Sequence, residues 1–398
     1  MATTVELLIK EGADVNTEGG EYGSTLQAAT VEGNSEIVGM LIEANAHINP
    51  QGGEYGSPLY AAAVGGYEEI MELLIDAGAD VNSRGEHGSA LCVAITKGYQ
   101  KISEILINVG ANVNIRGEYG TAIQIAAYRG WDKTIKMLID RGADINAGSG
   151  KYGPTLYTAA VEGYKEIVEI LIDAGAHIDA QGEGGSALYA TAVRGKREMT
   201  ELLINSGADI NPGGEHWTVI QIAAYKGWAT TINMLIDKGA DVNAKSIRYN
   251  TPLQAAAVRR NQEIVKILID KGANVNLQGG EYGTALQAAA YSGGIEIIEM
   301  LIDAGADVNI QGGSYGTTLQ AAAYSGWTDI VERLIDAKAG VDAQGGRHGA
   351  ALQAAAAKGN EEIVRILIRN GADVNAKGGK HWTALQAAAA CMTYNSES

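Results

Sequence analysis

The chain has 398 residues, a formal net charge of -17, 53 Gly, two Cys and no Phe. Hydrophobic residues make up 46% of it, which argues against disorder, and no apolar run approaches the roughly 20 residues needed to cross a bilayer. This composition excludes a collagen-like chain, a disulfide scaffold and a transmembrane protein. The first residues lack the basic and apolar segments of a signal peptide, so we expect a cytoplasmic protein, with the nucleus as the alternative compartment.

One motif recurs along the whole chain with a period near 33 residues. Gly-Ala-Asp-Val-Asn or a close variant begins at twelve positions, from Gly12 to Gly371. A second anchor, Leu-Gln-Ala-Ala or a variant, also begins at twelve positions, from Leu26 to Leu385. We therefore predict a single repeat array over residues 1–398, with a partial repeat at 1–16, full repeats at 17–378 and a partial repeat at 379–398.

The first helix of each repeat, helix one, is expected to begin at a Ser or Thr two residues before the Leu anchor, as at Ser24. That hydroxyl can cap the helix, and a Gln three residues later completes a capping box in seven repeats. A run of Ala follows, and a Gly such as Gly33 ends the helix, because Gly adopts positive φ at little cost. Arg260 replaces this Gly, and Lys338 replaces the Gly that ends the second helix, so we expect strained backbone at both.

The second helix, helix two, is the run Glu-Ile-Val-x-x-Leu-Ile-Asp, as at 263–270. Its apolar residues fall at i, i+1, i+4 and i+5, which is a helical stripe. The segment between Gly-Ala-Asp and the next Leu anchor varies by one residue in length, which predicts a protruding loop. In six repeats an aromatic residue opens helix two, and we expect it to pack between neighbouring repeats. These residues are Tyr67, Tyr99, Trp131, Tyr164, Trp228 and Trp327.

These motifs resemble ankyrin repeats over about residues 4–392. The Gly-Gly-Glu-Tyr-Gly-x-x-Leu-Gln-Ala-Ala variant is similar to arrays in fungal proteins, which often form the C-terminal part of larger NACHT/STAND-type signalling NTPases. The resemblance implies an all-α repeat solenoid of about twelve helix-turn-helix repeats, curved and elongated, with β-hairpin loops called fingers. It also implies a concave surface, made by helix one and the fingers, that binds other proteins.

The chain departs from the family in its Thr-Pro-Leu-His signature. Thr251-Pro252-Leu253 keeps the first three residues, but Gln254 stands where the family has His. The departure puts the family's hairpin-to-helix hydrogen bonds in question, and the capping box is the substitute that the sequence offers.

The fifth and sixth residues after the Leu anchor lie at the family's concave contact positions. At the sixth position six of eleven residues are basic, although the chain has 30 basic and 47 acidic residues. This basic stripe, with Tyr beside it, predicts a face for an acidic, partly apolar segment of another protein. The alternative is that these cations only solubilise exposed helix ends. The predicted protein-binding residues are Lys97, Tyr128, Arg129, Arg194, Tyr225, Lys226, Arg259, Tyr291, Tyr324 and Lys358.

The sequence predicts no catalytic, cofactor or metal site. Residues 312–316 match a nucleophile pattern and residues 148–153 match a dinucleotide fingerprint, but both lie in finger loops without the strand-to-helix context. Cys92 is expected to be a buried, inert thiol. Four His stand at a finger position that holds Tyr in seven other repeats, so we expect aromatic packing there and no metal cluster. They are His87, His216, His348 and His381.

The sequence therefore favours a non-enzymatic protein-binding scaffold, the recognition part of a larger signalling protein. A structural spacer is one alternative, but it would not need a coherent charge pattern. A nucleic-acid-associated regulator is another, and the net charge of -17 would repel phosphates. Because the chain starts at helix two and stops after helix one, two interpretations are open: the chain is a fragment of a longer protein, or it is a complete array.

Overall fold

The computed structural model describes residues 1–148, 150–211, 217–246 and 251–391. Backbone packing groups the chain into two compact units, Met1–Ala187 and Leu188–Ser398, called here the N-terminal and C-terminal units. The same repeat of helix one, turn, helix two and finger builds each of them. Every element is short, so stability within each unit comes from the stacking of neighbouring repeats.

Within the N-terminal unit, successive first helices pack on one another, and each also packs on its own helix two. The first helices are α2 (Thr25–Val31), α4 (Pro58–Gly65), α6 (Ala90–Lys97), α8 (Ala122–Arg129) and α10 (Thr155–Glu162). The second helices are α1 (Ala2–Lys10), α3 (Ser35–Glu43), α5 (Glu68–Asp76), α7 (Gln100–Asn108), α9 (Asp132–Asp140) and α11 (Lys165–Asp173).

The C-terminal unit has the same arrangement. Its first helices are α12 (Ala187–Arg194), α14 (Val219–Lys226), α16 (Pro252–Val258), α18 (Ala285–Ser292), α20 (Thr318–Ser325), α22 (Ala351–Lys358) and α24 (Ala384–Cys391). Its second helices are α13 (Arg197–Asn205), α15 (Ala229–Asp237), α17 (Gln262–Asp270), α19 (Ile295–Asp303), α21 (Thr328–Asp336) and α23 (Glu361–Arg369). No helix in the described ranges is long and apolar enough to cross a membrane.

The fingers are minimal antiparallel hairpins. The two-residue ladders pair β1 (Glu18–Gly19) with β2 (Gly23–Ser24), β3 (Arg84–Gly85) with β4 (Gly88–Ser89), β5 (Arg116–Gly117) with β6 (Gly120–Thr121), and β7 (Gln181–Gly182) with β8 (Gly185–Ser186). Other fingers close through a single bridge, such as the one between Gly279 and Gly283. The varying loop of the sequence is thus a hairpin whose strands are too short to form a sheet of their own.

Small side chains let the first helices approach one another closely. In α16, Ala255, Ala256 and Ala257 are all fully buried, and Leu253 is 1% exposed. The helix-two stripe is buried in the same way, as the fully buried Ile264, Val265 and Leu268 of α17 show. The core therefore consists of Ala, Leu, Ile and Val, which fits a chain without Phe.

The predicted turn residues are confirmed. Gly66 ends α4 at φ 78°, and Arg260 and Lys338 hold the same left-handed backbone at φ 55° and φ 68°. Asn45 also has positive φ, at 61°, in the place where most repeats have the Gly of Gly-Ala-Asp. A side chain in this conformation costs free energy that Gly avoids.

The capping boxes form only in part. Thr284 makes both reciprocal bonds: its N–H donates to Gln287 Oε1 at 2.6 Å, and its Oγ1 accepts from Gln287 N at 3.2 Å. The hydroxyls of Ser24 and Thr251 accept the first-turn N–H, but the Oε1 atoms of Gln27 and Gln254 are buried without a hydrogen-bond partner. Ser24 and Thr251 are also more extended than Thr284, with φ of -137° and -131° against -116°.

A row of side-chain bonds joins consecutive repeats near the end of helix two. The Asn of Gly-Ala-Asp-Val-Asn reaches the same phrase in the following repeat. Asn276 Nδ2 donates to Gly305 O at 3.1 Å, and its Oδ1 accepts from Asp307 N at 2.8 Å. Asn114 makes the equivalent bonds to Gly142 O and Asp144 N. This explains why the phrase recurs with so little change: its Asn fixes the spacing between neighbours.

Candidate protein-binding surface

A buried Gln in helix one positions the finger of the next repeat. Gln287 Nε2 donates to Ile310 O at 3.2 Å, to Gly312 O at 3.3 Å and to Gly316 O at 2.6 Å. Gln27, Gln124, Gln254, Gln320 and Gln353 also donate to carbonyls of the following finger. The doubt about helix-to-hairpin bonds was therefore wrong, because the Gln that replaces His makes them itself while its oxygen remains available to the cap.

Other residues at the Gln position make different bonds to the finger. Tyr60 Oη accepts from His87 N at 3.1 Å, and Tyr157 Oη accepts from Gly184 N at 3.0 Å. Cys92 Sγ donates to Ile115 O at 3.2 Å, and burial raises the pKa of this thiol. The thiol is therefore buried and held in the protonated form, as the sequence predicted.

The fingers of the C-terminal unit are also bonded to one another. Ser314 N donates to Glu281 O at 2.8 Å, Arg347 N to Ser314 O at 3.1 Å, and Lys380 N to Arg347 O at 3.0 Å. Four successive fingers thus share one line of backbone bonds. This holds the side chains at the finger bases in register with the ends of the first helices.

Aromatic rings fill the space between these fingers and the first helices. We call the surface formed by the finger-base aromatic residues and the last residues of helix one the finger-side surface. In the C-terminal unit it carries a continuous row of five rings, each half-buried. The centroids are 5.5 Å apart for Tyr282 and Tyr291, 4.8 Å for Tyr291 and Tyr315, 5.5 Å for Tyr315 and Tyr324, and 4.6 Å for Tyr324 and His348.

The N-terminal unit has a smaller version of the same row. Tyr128, at the end of α8, stacks on Tyr152 of the next finger with centroids 4.0 Å apart and planes 9° apart. Tyr152 also stacks on Tyr119 at 6.1 Å, and Lys151 Nζ lies 4.5 Å from the Tyr119 centroid. The expected aromatic packing at the finger base is therefore shown by Tyr119, Tyr152 and His348, whereas His87 Nδ1 lies 2.9 Å from Glu118 Oε2. The packed rings lie within the candidate surface, where the sequence argument had placed only the helix-one tyrosines.

Four of the predicted basic residues lie over aromatic rings. Arg259 Cζ is 4.8 Å from the Tyr225 centroid, and Lys358 Nζ is 4.5 Å from that of Tyr324. Arg129 lies 5.9 Å from the centroid of Trp131 and Lys226 lies 5.8 Å from that of Trp228. Such contacts are cation–π interactions. The contacts of Arg259 and Lys358 hold these two cations beside tyrosines, so charge and apolar area share one surface there, whereas Arg129 and Lys226 lie against tryptophans that open helix two.

The predicted basic residues differ in their structural role. Arg129 donates from Nη2 to Thr96 O in the preceding repeat, so its side chain also joins two repeats. Lys97 and Arg194 are exposed at the C-terminal ends of α6 and α12, where a cation also interacts favourably with the helix dipole. The basic residues at this repeat position are therefore not equivalent, because some bond to the protein and others are exposed to solvent.

Four of the six aromatic residues that open helix two pack against the turn of the preceding repeat as predicted, namely Tyr67, Tyr99, Tyr164 and Trp327. A Cβ added at Gly33 would lie 2.7 Å from the Tyr67 ring, and Tyr67 Oη donates to Val31 O at 3.2 Å. Trp327 lies against Gly293 in the same way and donates from Nε1 to Tyr291 O at 3.1 Å. These rings cover the turn of the preceding repeat, which is a packing role.

Two side chains in the C-terminal row, Tyr315 and His348, have shifted pKa values. Burial raises the pKa of Tyr315, and its hydrogen bond and proximity to Tyr291 raise it further. Burial also lowers the pKa of His348, as do the nearby His381, Arg347 and Lys358. Both shifts favour the neutral forms of Tyr315 and His348, and the positive charge lies on the Lys and Arg side chains around them.

The nucleophile-like match at residues 312–316 lies in a finger and not at a strand-to-helix turn. Ser314 lies in a finger closed by the Gly312–Gly316 bridge, and its N–H is used in the bond to the neighbouring finger. Ser149 of the dinucleotide-like stretch and His216 lie outside the described residues. Among the residues that the structure describes, no three His, Cys, Asp or Glu side chains come together as they would around a metal ion.

The model of a family described as "Ankyrin repeats (3 copies)" matches the chain over residues 50–117, 91–182, 156–246, 245–312 and 313–378. A comparison with curated proteins found no match. Ankyrin repeats are generally protein–protein interaction modules. The matched segments cover most of the chain, and their paired helices and fingers are those just described: the chain belongs to the ankyrin repeat family.

Proposed function

We propose that this chain is a non-enzymatic scaffold whose finger-side surface, on the face that is concave in the family, binds an acidic and partly apolar segment of another protein. The observation that carries the proposal is the row of rings from Tyr282 to His348, with Lys358 against Tyr324. Aromatic residues and Arg are enriched at the energetic centres of protein interfaces.

The charge on this surface supports an acidic partner. The chain carries 47 acidic and 30 basic residues, yet cations occupy the ends of six of the twelve first helices. Lys97, Arg194, Lys226, Arg259 and Lys358 are all exposed there. Local positive charge steers an acidic segment to this surface, while the negative charge elsewhere repels it.

The rings support a partly apolar segment. Tyr128 is 42% exposed, and Tyr225, Tyr291 and Tyr324 are half-buried, so each presents apolar area and a hydroxyl. A segment that carries only carboxylates would leave this area unused. Side chains that lie on the rings would add the apolar contact on which most affinity depends.

The cellular context follows from the resemblance of the fingers to fungal-type arrays. On that basis the chain acts as the recognition part of a larger signalling protein, inside the cell. The sequence that flanks the repeats in the gene would test this part, because an NTPase module next to the array is expected. A gene without any such module would contradict it.

Peptide selection followed by charge reversal tests the binding surface. Peptides are selected from a random displayed library on the full chain, and their affinities are measured by fluorescence anisotropy. The test variant changes Arg194, Arg259 and Lys358 to Glu. We expect acidic peptides with apolar residues to be selected, and to bind the variant at least about tenfold more weakly because attraction becomes repulsion.

The matched control places the same charge change away from the finger-side surface, by changing Lys238, Lys266 and Arg369 to Glu. All three residues are exposed on or next to second helices. The control variant should bind like the parent, and circular dichroism should show that both variants are folded. Equal loss of affinity in the two variants would mean that net charge alone matters, and undiminished binding to the test variant would exclude this surface.

A further inference from the structure

A cleft of about 340 Å³ opens on the finger-side surface of the C-terminal unit. It is lined by Tyr189, Val193, Trp217, Ile222, Tyr225 and Lys226. Ile222 is 4% exposed, whereas Val193 is 49% exposed and Lys226 is also exposed. The apolar base therefore lies inside the protein, and the mouth carries a cation.

The sequence explains why the cleft forms in this repeat. Trp217 stands three residues before the Leu anchor, where nine of the twelve copies have Gly. Gly has no side chain that could form a wall. Here the indole meets the Tyr225 ring edge to face, with centroids 5.2 Å apart and planes at 90°. Tyr189 replaces the Gln of most repeats and adds a third ring.

The lining selects the chemistry of an occupant. Three aromatic rings with Val193 and Ile222 offer an apolar surface, and the volume lies in the range of about 300–1,000 Å³ typical of ligand pockets. Arg259 Cζ already lies 4.8 Å from the Tyr225 centroid, and Lys226 stands at the mouth, so a cationic occupant would be repelled. A carboxylate would be attracted to the same two residues.

We propose that this cleft is the anchor pocket of the surface and takes an aromatic side chain of the partner with a carboxylate next to it. The inference rests on the proposed function, because it names the residue pair by which a partner segment would be held. The aromatic ring enters the cleft and packs against Trp217 and Tyr225, while the carboxylate stays at the mouth near Lys226 and Arg259.

A small aryl carboxylate tests the pocket without a known partner. Binding of 3-(4-fluorophenyl)propionate to the full chain is followed by fluorine NMR line broadening. The variant Val193→Trp fills the mouth and leaves the three rings in place. It should weaken binding at least about tenfold. The neutral amide of the probe should bind the parent more weakly than the acid, and Lys226→Gln should reduce that difference, because Arg259 then attracts the carboxylate alone.

Val258→Trp is the matched control. Val258 holds in α16 the position that Val193 holds in α12, and it does not line the cleft. It should bind the probe like the parent. Equal binding to Val193→Trp and the parent, or equal binding of acid and amide, would overturn the proposal. Melting curves of each variant separate loss of the pocket from loss of the fold.

The selected peptides separate this inference from the proposed function. If charge reversal abolishes peptide binding but Val193→Trp does not weaken it, the surface binds proteins and the anchor pocket is wrong. If peptides ignore charge reversal while the probe still needs Val193, the cleft is a small-molecule site and both proposals fail. Loss of peptide binding in both variants supports both.

Discussion

Some turns differ from those of neighbouring repeats in the residue at the turn position and not in the backbone conformation. Arg260 and Lys338 hold positive φ at positions where most repeats have Gly. The surrounding helices fix the turn, so the residue must adopt the conformation that the fold imposes. The array tolerates this strain, because one strained residue costs about 1 kcal/mol and many interfaces between repeats contribute to stability.

Arg260→Gly should stabilise the C-terminal unit by up to about 1 kcal/mol, because Gly relieves the left-handed strain. The greater freedom of Gly in the unfolded chain offsets part of this gain. Urea unfolding of the full chain, followed by circular dichroism, measures the change.

Arg260→Ala is the control, because Ala removes the side chain but keeps the strain. If Gly and Ala change the midpoint equally, the side chain and not the backbone determines stability at this turn. A clear loss of stability with Gly alone would show that no strain is stored at Arg260.

At the scale of the element, one Gln connects three pieces of structure. Gln287 is fully buried, caps its own helix through Oε1 and binds three carbonyls of the next finger through Nε2. The aromatic row depends on these fingers, since Tyr282 and Tyr315 lie on them. A residue without direct access to a partner therefore positions the candidate binding surface.

Gln287→Leu should destabilise the C-terminal unit by about 1–3 kcal/mol, because it leaves buried carbonyls and the Thr284 N–H without partners. Gln386→Leu is the matched control: both residues follow Thr-Ala-Leu, but Gln386 is exposed. Chemical denaturation should show a much smaller effect for Gln386. Equal effects would mean that helix capping, and not the finger bonds, accounts for the contribution of Gln287.

Sequence periodicity predicted the helices well, because the Leu anchors, Ala runs and turn glycines report local conformation and burial. It predicted the fingers only as loops, since two-residue ladders leave almost no pattern. It also missed part of the aromatic row. Tyr291 and Tyr324 were predicted as binding residues, but Tyr282 and Tyr315 on the fingers were not, because the rings meet only after repeats stack, at distances set by the backbone. Trp217 did stand out in the sequence, as a large residue at a position where most repeats have Gly. A comparison of the repeats shows this exception, but it does not show that the residue forms a cleft.

For the whole molecule, the stability of the fold depends on the balance between attraction within local ion pairs and repulsion from the net charge. Successive second helices are joined by ion pairs, such as Lys133 with Glu104 at 2.6 Å, Lys136 with Glu166 at 3.3 Å and Lys271 with Asp237 at 3.4 Å. These pairs are largely exposed, and such pairs contribute about 0–1 kcal/mol each. Against them stands a net charge of -17, whose self-repulsion is greater in the folded chain than in the expanded one.

If repulsion outweighs the ion pairs, salt should stabilise the folded chain. Raising NaCl from about 0.01 M to about 0.15 M shortens the Debye length from about 30 Å to about 8 Å, which screens distant like charges more than paired ones. We expect the melting temperature at pH 7 to rise by at least about 2 °C in calorimetry. The same comparison near the isoelectric point of about 4.8 should show no such rise, because the net charge is then close to zero. A melting temperature that falls with salt at pH 7 would mean that the ion pairs between second helices outweigh the repulsion of the whole chain.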